Sequence, residues 1–148
     1  MNRSSIKFQN GMKSMKERIL ERLDLLWENV NELMKFKEFD ISDLSDKRLN
    51  WSLRYGFLES IQIIIDICCS IAIEYNLGSP KSYSDCIRIL CEHEYFEEDF
   101  CKILISMVGL RNILVHEYTE VDVKILYSLL DHLDDFKRFI KYIREKLK

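Results

Sequence analysis

The chain has 148 residues, of which 47% are hydrophobic and 32% charged, with four glycines, one proline and a formal net charge of −3. That length supports one domain with a sizeable core, and the composition excludes disorder and a membrane-embedded chain. An all-β fold needs many turns, and so few glycines and prolines do not supply them.

The charge is unevenly placed. Residues 1–22 and residues 136–148 are each net basic, and the segment between them is acidic. A modest negative total argues against a dedicated nucleic-acid binder. The two basic ends read either as solvated helix faces, which charge runs usually are, or as surface for phosphate. Residues 1–11 carry no helical pattern and are expected to form a flexible tail, leaving 12–148 as a single helical domain. No apolar signal segment opens the chain. Its most apolar run, residues 61–73, is shorter than the roughly 20 residues a membrane span needs, so a cytoplasmic location is expected. The five cysteines (68, 69, 86, 91 and 101) are odd in number and lack a CxxC pair, which suggests reduced, mostly buried thiols. Cys86, Cys91 and His93 fit none of the usual zinc spacings, so no metal and no cofactor is expected.

In chain order, Met15, Ile19, Leu23, Leu26, Val30, Leu33 and Met34 recur at helical spacing and predict a first helix over 13–37. Ser45 or Asp46 is placed to cap a second, over 47–75. Its centre is apolar nearly all round, with a narrow polar stripe of Glu59, Gln62, Asp66, Ser70 and Glu74. Such a helix is buried on more than one side, at the centre of a bundle or beneath a second subunit. Leu77-Gly78-Ser79-Pro80 reads as its stop, with Gly78 as the glycine after the helix. Ser82 or Ser84 caps a short helix over 85–92. A fourth runs over 97–115, and a capping box at Thr119–Asp122 opens a fifth that reaches 146. The expected fold is an all-α, up-and-down bundle of four long helices and one short one.

Sequence motifs for nucleotide loops, zinc proteases and serine hydrolases are absent. The informative stretch ends the fourth helix: Arg111-Asn112-Ile113-Leu114-Val115-His116-Glu117-Tyr118. Arginine grips phosphate through a planar fork, and histidine exchanges protons near neutral pH. With Asn112 as a neutral donor and acceptor, this set can cleave RNA without a metal. The bare Arg-x4-His pair arises by chance with a likelihood of about 0.2, and requiring the tyrosine lowers that to about 0.01. The competing reading is a charged helix end, where cations are favoured. On a straight helix Arg111 and His116 lie about 140° apart, whereas Arg111 and Tyr118 share a face. A distorted helix end, or a second copy of the motif across a two-fold axis, is needed to bring Arg111 and His116 to one phosphate.

These residues resemble the RNxxVHxY signature of HepT-like toxins of the HEPN superfamily. Residues 55–66 look like that family's central helix, although Gly56 and Ser60 depart from its usual bulk, and Pro80-Lys81-Ser82-Tyr83 looks like its linker. The resemblance implies a helical homodimer that cleaves RNA without metal through Arg111, Asn112 and His116. It also implies a nucleotidyltransferase antitoxin of the MntA type that transfers AMP to Tyr118, and no DNA specificity. Two other readings stand beside it: a non-catalytic binding partner and substrate of the nucleotidyltransferase, and a plain interaction bundle with a chance motif. Asp66 is read as a solvated carboxylate with a possible part in orienting a site residue.

Overall fold

A computed structural model describes residues 13–116 and 121–148. The expected tail over 1–11 and Tyr118 lie outside the described residues. Within them the chain is helical, with no strand. The α-helices are α1 (Met15–Met34), α2 (Lys47–Glu74), α3 (Tyr83–Glu92), α4 (Glu98–His116), α5 (Val123–Ser128) and α6 (Leu133–Lys146). Short 3-10 turns follow α1, precede α2 and join α5 to α6. The long final helix expected from periodicity is therefore interrupted at Leu129–His132.

Each start follows its local chemistry. Ser14 caps α1, Asp46 caps α2 by accepting from the backbone N–H groups of Arg48 and Leu49, and Ser82 caps α3. Asp122 caps α5 by accepting from Lys124, so the last helical region opens at Asp122; Thr119 lies outside the described residues. The stop after α2 differs from expectation. Asn76, not Gly78, is the left-handed residue (φ 55°), and none of the described glycines has a positive φ. The amide N–H groups of Asn76 and Leu77 donate to the carbonyls of Ile73 and Ala72 and close the helix. Asparagine tolerates this conformation because its short polar side chain bonds locally. Gly78 serves another purpose: a Cβ there would stand 2.9 Å from Ile89 Cδ1. Its missing side chain lets the linker approach α3.

α2 is the central element, packed against α1, α3, α4 and α5. Leu53, Phe57, Ile61, Ile64, Ile65, Ile67, Cys68, Ile71 and Ala72 are all at most 1% exposed, which places the helix at the centre of the bundle. By length and hydropathy α2 alone among the described helices could cross a membrane, but here its apolar residues form the core. Gly56 and Ser60 explain each other. Leu33 of α1 sits where a Cβ on Gly56 would come within 2.8 Å of it, and the buried Ser60 hydroxyl donates to the Gly56 carbonyl.

The cysteine expectation is corrected. Cys69 pairs with Cys86 and Cys91 with Cys101 in disulfides, joining α2 to α3 and α3 to α4; Cys68 is free and buried. Linear spacing carries no sign of this, because the pairing depends on which faces of neighbouring helices meet. Burial pushes the Cys68 thiol far above its ordinary range. Part of the charge on the basic ends is paired: Lys13 meets Glu21, Arg18 meets Glu74, Arg144 meets Asp24, and Arg138 meets Asp99 and Asp135. Exposed pairs of this kind contribute about 0–1 kcal/mol each. They favour the solvated-face reading of those runs.

Candidate functional site

Arg111, Asn112 and His116 all lie in the last two turns of α4. Leu114 is buried between them and anchors the turn to the core. Arg111 is half-buried; Asn112 and His116 are exposed. α4 is a regular helix to His116, so the distortion that would bring Arg111 beside His116 is absent. No hydrogen bond joins the two among the described residues.

Arg111 is held on three sides. Its Nε donates to Gln62 Oε1 at 3.0 Å and its Nη1 to Asn112 Oδ1 at 3.2 Å. Its guanidinium carbon lies 5.0 Å from the Tyr83 ring centroid, within cation–π range. Gln62 is in turn fixed by Asp66, whose Oδ1 accepts from Gln62 Nε2 at 2.9 Å. The amide therefore accepts a hydrogen bond from Arg111 on its oxygen and donates one from its nitrogen to the carboxylate. Asp66 is exposed, as a solvated carboxylate would be, and it also orients the residue that orients Arg111. The result is a cation fixed in direction, with asparagine beside it, facing a surface open to a polyanion.

Gln62 and Tyr83 were not among the residues singled out for chemistry. The available signal was a polar residue inside an isoleucine run, one turn from a carboxylate. A cleft of about 310 Å³ between α2, α4 and α6 is lined by Phe57, Ile61, Met107 and Phe136. Its lining is mostly apolar, with Ser106, His132 and Asp135 at its edge and no arginine among the described residues.

Known proteins resemble this chain in sequence and in fold. A family profile described as ribonuclease HepT-like matches residues 19–143. The mRNA nuclease HepT of Shewanella oneidensis is 32% identical over 107 residues, 69% of this chain and 80% of that protein. Among solved structures, the tri-AMPylated Shewanella oneidensis HEPN toxin in complex with MNT antitoxin superposes with a TM-score of 0.79 at 27% identity, covering 90% of this chain and 99% of that one. A mutant MntA–HpeT toxin–antitoxin structure gives a TM-score of 0.76 at 28% identity, covering 86% and 97%.

Proposed function

The chain belongs to the ribonuclease HepT-like family, and from that premise we propose that it is the toxin of a toxin–antitoxin pair: a cytoplasmic, homodimeric endoribonuclease that needs no metal and is silenced by AMP transfer to Tyr118. The observation that carries this reading is Arg111, fixed by Gln62, Asn112 and Tyr83 at an open surface five residues before an exposed His116 on the same helix. In the proposed reaction a His116 imidazole takes the proton of an RNA 2′-hydroxyl. The 2′-oxygen bonds to phosphorus, the P–O5′ bond breaks, and the 5′-oxygen leaves with a proton from a second acid, the other copy of the motif. The products are a 2′,3′-cyclic phosphate and a 5′-hydroxyl. Proton transfer of this kind contributes about 10²–10⁴-fold, and Arg111 offsets the charge that builds on the phosphate.

The homodimer rests on two features. Arg111 and His116 point about 140° apart on one regular helix, so one phosphate needs both copies. Gly109, in the interior of α4, is exposed, and a Cβ there would meet nothing within 4 Å. A helix-interior glycine costs about 1 kcal/mol relative to alanine. Nothing among the described residues requires it, whereas a closely approaching second copy would. In a reducing compartment the four paired sulfurs would stand as adjacent thiols.

Purified protein should cleave single-stranded RNA in EDTA, and His116→Ala and Arg111→Ala should each lower the rate at least 10²-fold. Equal cleavage by wild type and His116→Ala overturns the assignment. Co-expression with an MNT-type nucleotidyltransferase should raise the intact mass by adenylyl units, and Tyr118→Phe should abolish the gain. Added negative charge beside Arg111 competes for the guanidinium and repels RNA, so the modified protein should be inactive. The second reading, a non-catalytic substrate of the nucleotidyltransferase, is favoured by the ion pairs that occupy some of the end cations. It predicts adenylylation without cleavage by the unmodified protein.

A further inference from the structure

Beyond Arg111 and His116, one surface lies in register with the site. On α2, Trp51 is 57% and Tyr55 64% exposed. Eleven residues separate Trp51 from Gln62, which is three helical turns, about 16 Å along the axis and only about 20° round it. Trp51, Tyr55 and Gln62 therefore form one line along α2, and its far end touches Arg111. The near end opens into a groove of about 740 Å³ lined by Ser45, Lys47, Asn50, Trp51 and Arg54. Lys47 Nζ lies 4.7 Å from the Trp51 ring centroid. Among the described residues, the groove's lining includes two cations and no carboxylate. Glu59 stands between Tyr55 and Gln62 along α2, about 60° round the helix from Gln62, and Asp66 lies one turn beyond, engaged by Gln62.

An exposed aromatic pair, flanked by cations and amides and aimed at a phosphate-binding arginine a few nucleotides away, has the make-up of a single-strand stacking platform. Bases stack on the rings while cations meet the backbone. We propose that Trp51 and Tyr55 form a substrate subsite that stacks unpaired bases of the RNA strand, with Lys47 at its phosphates, and so directs a single-stranded segment to Arg111. This inference rests on the ribonuclease reading for its substrate, but it is tested by binding alone. Base stacking is sequence-tolerant, so the subsite selects for unpaired RNA rather than for a sequence.

The experiment uses His116→Ala, which cannot cleave, combined with Trp27→Phe so that Trp51 is the sole tryptophan. A labelled oligoadenylate of about ten nucleotides should quench Trp51 fluorescence on binding. Trp51→Ala and Tyr55→Ala should each weaken binding about tenfold, and Trp51→Phe should recover most of it. Lys47→Gln should flatten the salt dependence by about 0.7 in log–log slope. Helical circular dichroism and oligomeric state should be unchanged. Unaltered affinity in Trp51→Ala, or no quenching, overturns the proposal. So does a Trp51→Ala protein that loses self-association or antitoxin binding while keeping its RNA affinity, since the face then belongs to a protein contact. Binding that depends on Trp51, together with inactivity of the unmodified wild type, upholds the subsite and removes the nuclease reading.

Discussion

Arg111 depends on Gln62 for its direction. The guanidinium donates to the amide oxygen and the amide nitrogen donates to Asp66, so Gln62 has one orientation that satisfies both neighbours. Gln62→Leu keeps the bulk and removes both bonds. Arg111 then retains only Asn112 and the Tyr83 face, and the cation swings relative to the phosphate. Small misplacements of a positioned group cost about 10²-fold in rate. RNA cleavage should fall by about 10–100-fold in kcat, with circular dichroism and thermal midpoint close to wild type. Asp66→Asn should fall between the two. Wild-type turnover in Gln62→Leu would show that Asn112 and Tyr83 suffice. The polar stripe on α2 was legible in the sequence, and so was the Arg111–His116 motif. Their contact was not, because Gln62 and Arg111 lie 49 residues apart and meet only through the crossing of two helices.

At the scale of elements, periodicity and caps placed most helix ends to within one to three residues, since Asp46 and Ser82 act through bonds to their own neighbours. Three features escaped this local logic. The disulfides depend on facing helices. The 3-10 break at Leu129–His132 interrupts a pattern that reads as continuous. The α2 stop looked like a glycine stop, yet Asn76 takes the left-handed position and Gly78 makes room for Ile89. The two roles give different rescue patterns. In Gly78→Ala the new methyl meets Ile89 Cδ1 at 2.9 Å and Cγ1 at 3.1 Å. Overpacking of that kind costs about 1–3 kcal/mol, partly offset by about 0.4–1 kcal/mol from a stiffer unfolded chain. A net loss of about 1 kcal/mol should lower the thermal midpoint by about 3 °C. Adding Ile89→Val removes Cδ1 and should restore most of the loss, whereas a cost arising from backbone conformation would survive it. Asn76→Gly should be nearly neutral, since glycine suits a left-handed residue.

For the molecule as a whole, the issue is what covers α4. Gly109, Asn112, Ile113 and His116 are all exposed, and Ile113 is 48% so. Relative to Gly109, Ile113 is rotated by about 40° and His116 by about −20°, so glycine, isoleucine and histidine form one strip. Arg111 lies on another side, turned toward α2. A single copy thus presents its histidine beside an apolar residue and a gap, and keeps its arginine elsewhere. Two copies related by a two-fold axis would bury the isoleucines against each other, use the glycine gaps for close approach, and place each histidine near the opposing motif. Ile113→Arg sets like charges against each other across such an axis while leaving Arg111, His116 and the core in place. It should sediment as a single chain of 17.8 kDa, and wild type should sediment at twice that mass. It should retain its helical circular dichroism and lose RNA cleavage, because each half-site would lack its complement. Mixing it with the His116→Ala chain should restore nothing if the charge blocks association on this strip. A fully active Ile113→Arg protein, or a wild type that cleaves RNA as a single chain, would place the arginine and histidine at one phosphate by some route other than this face.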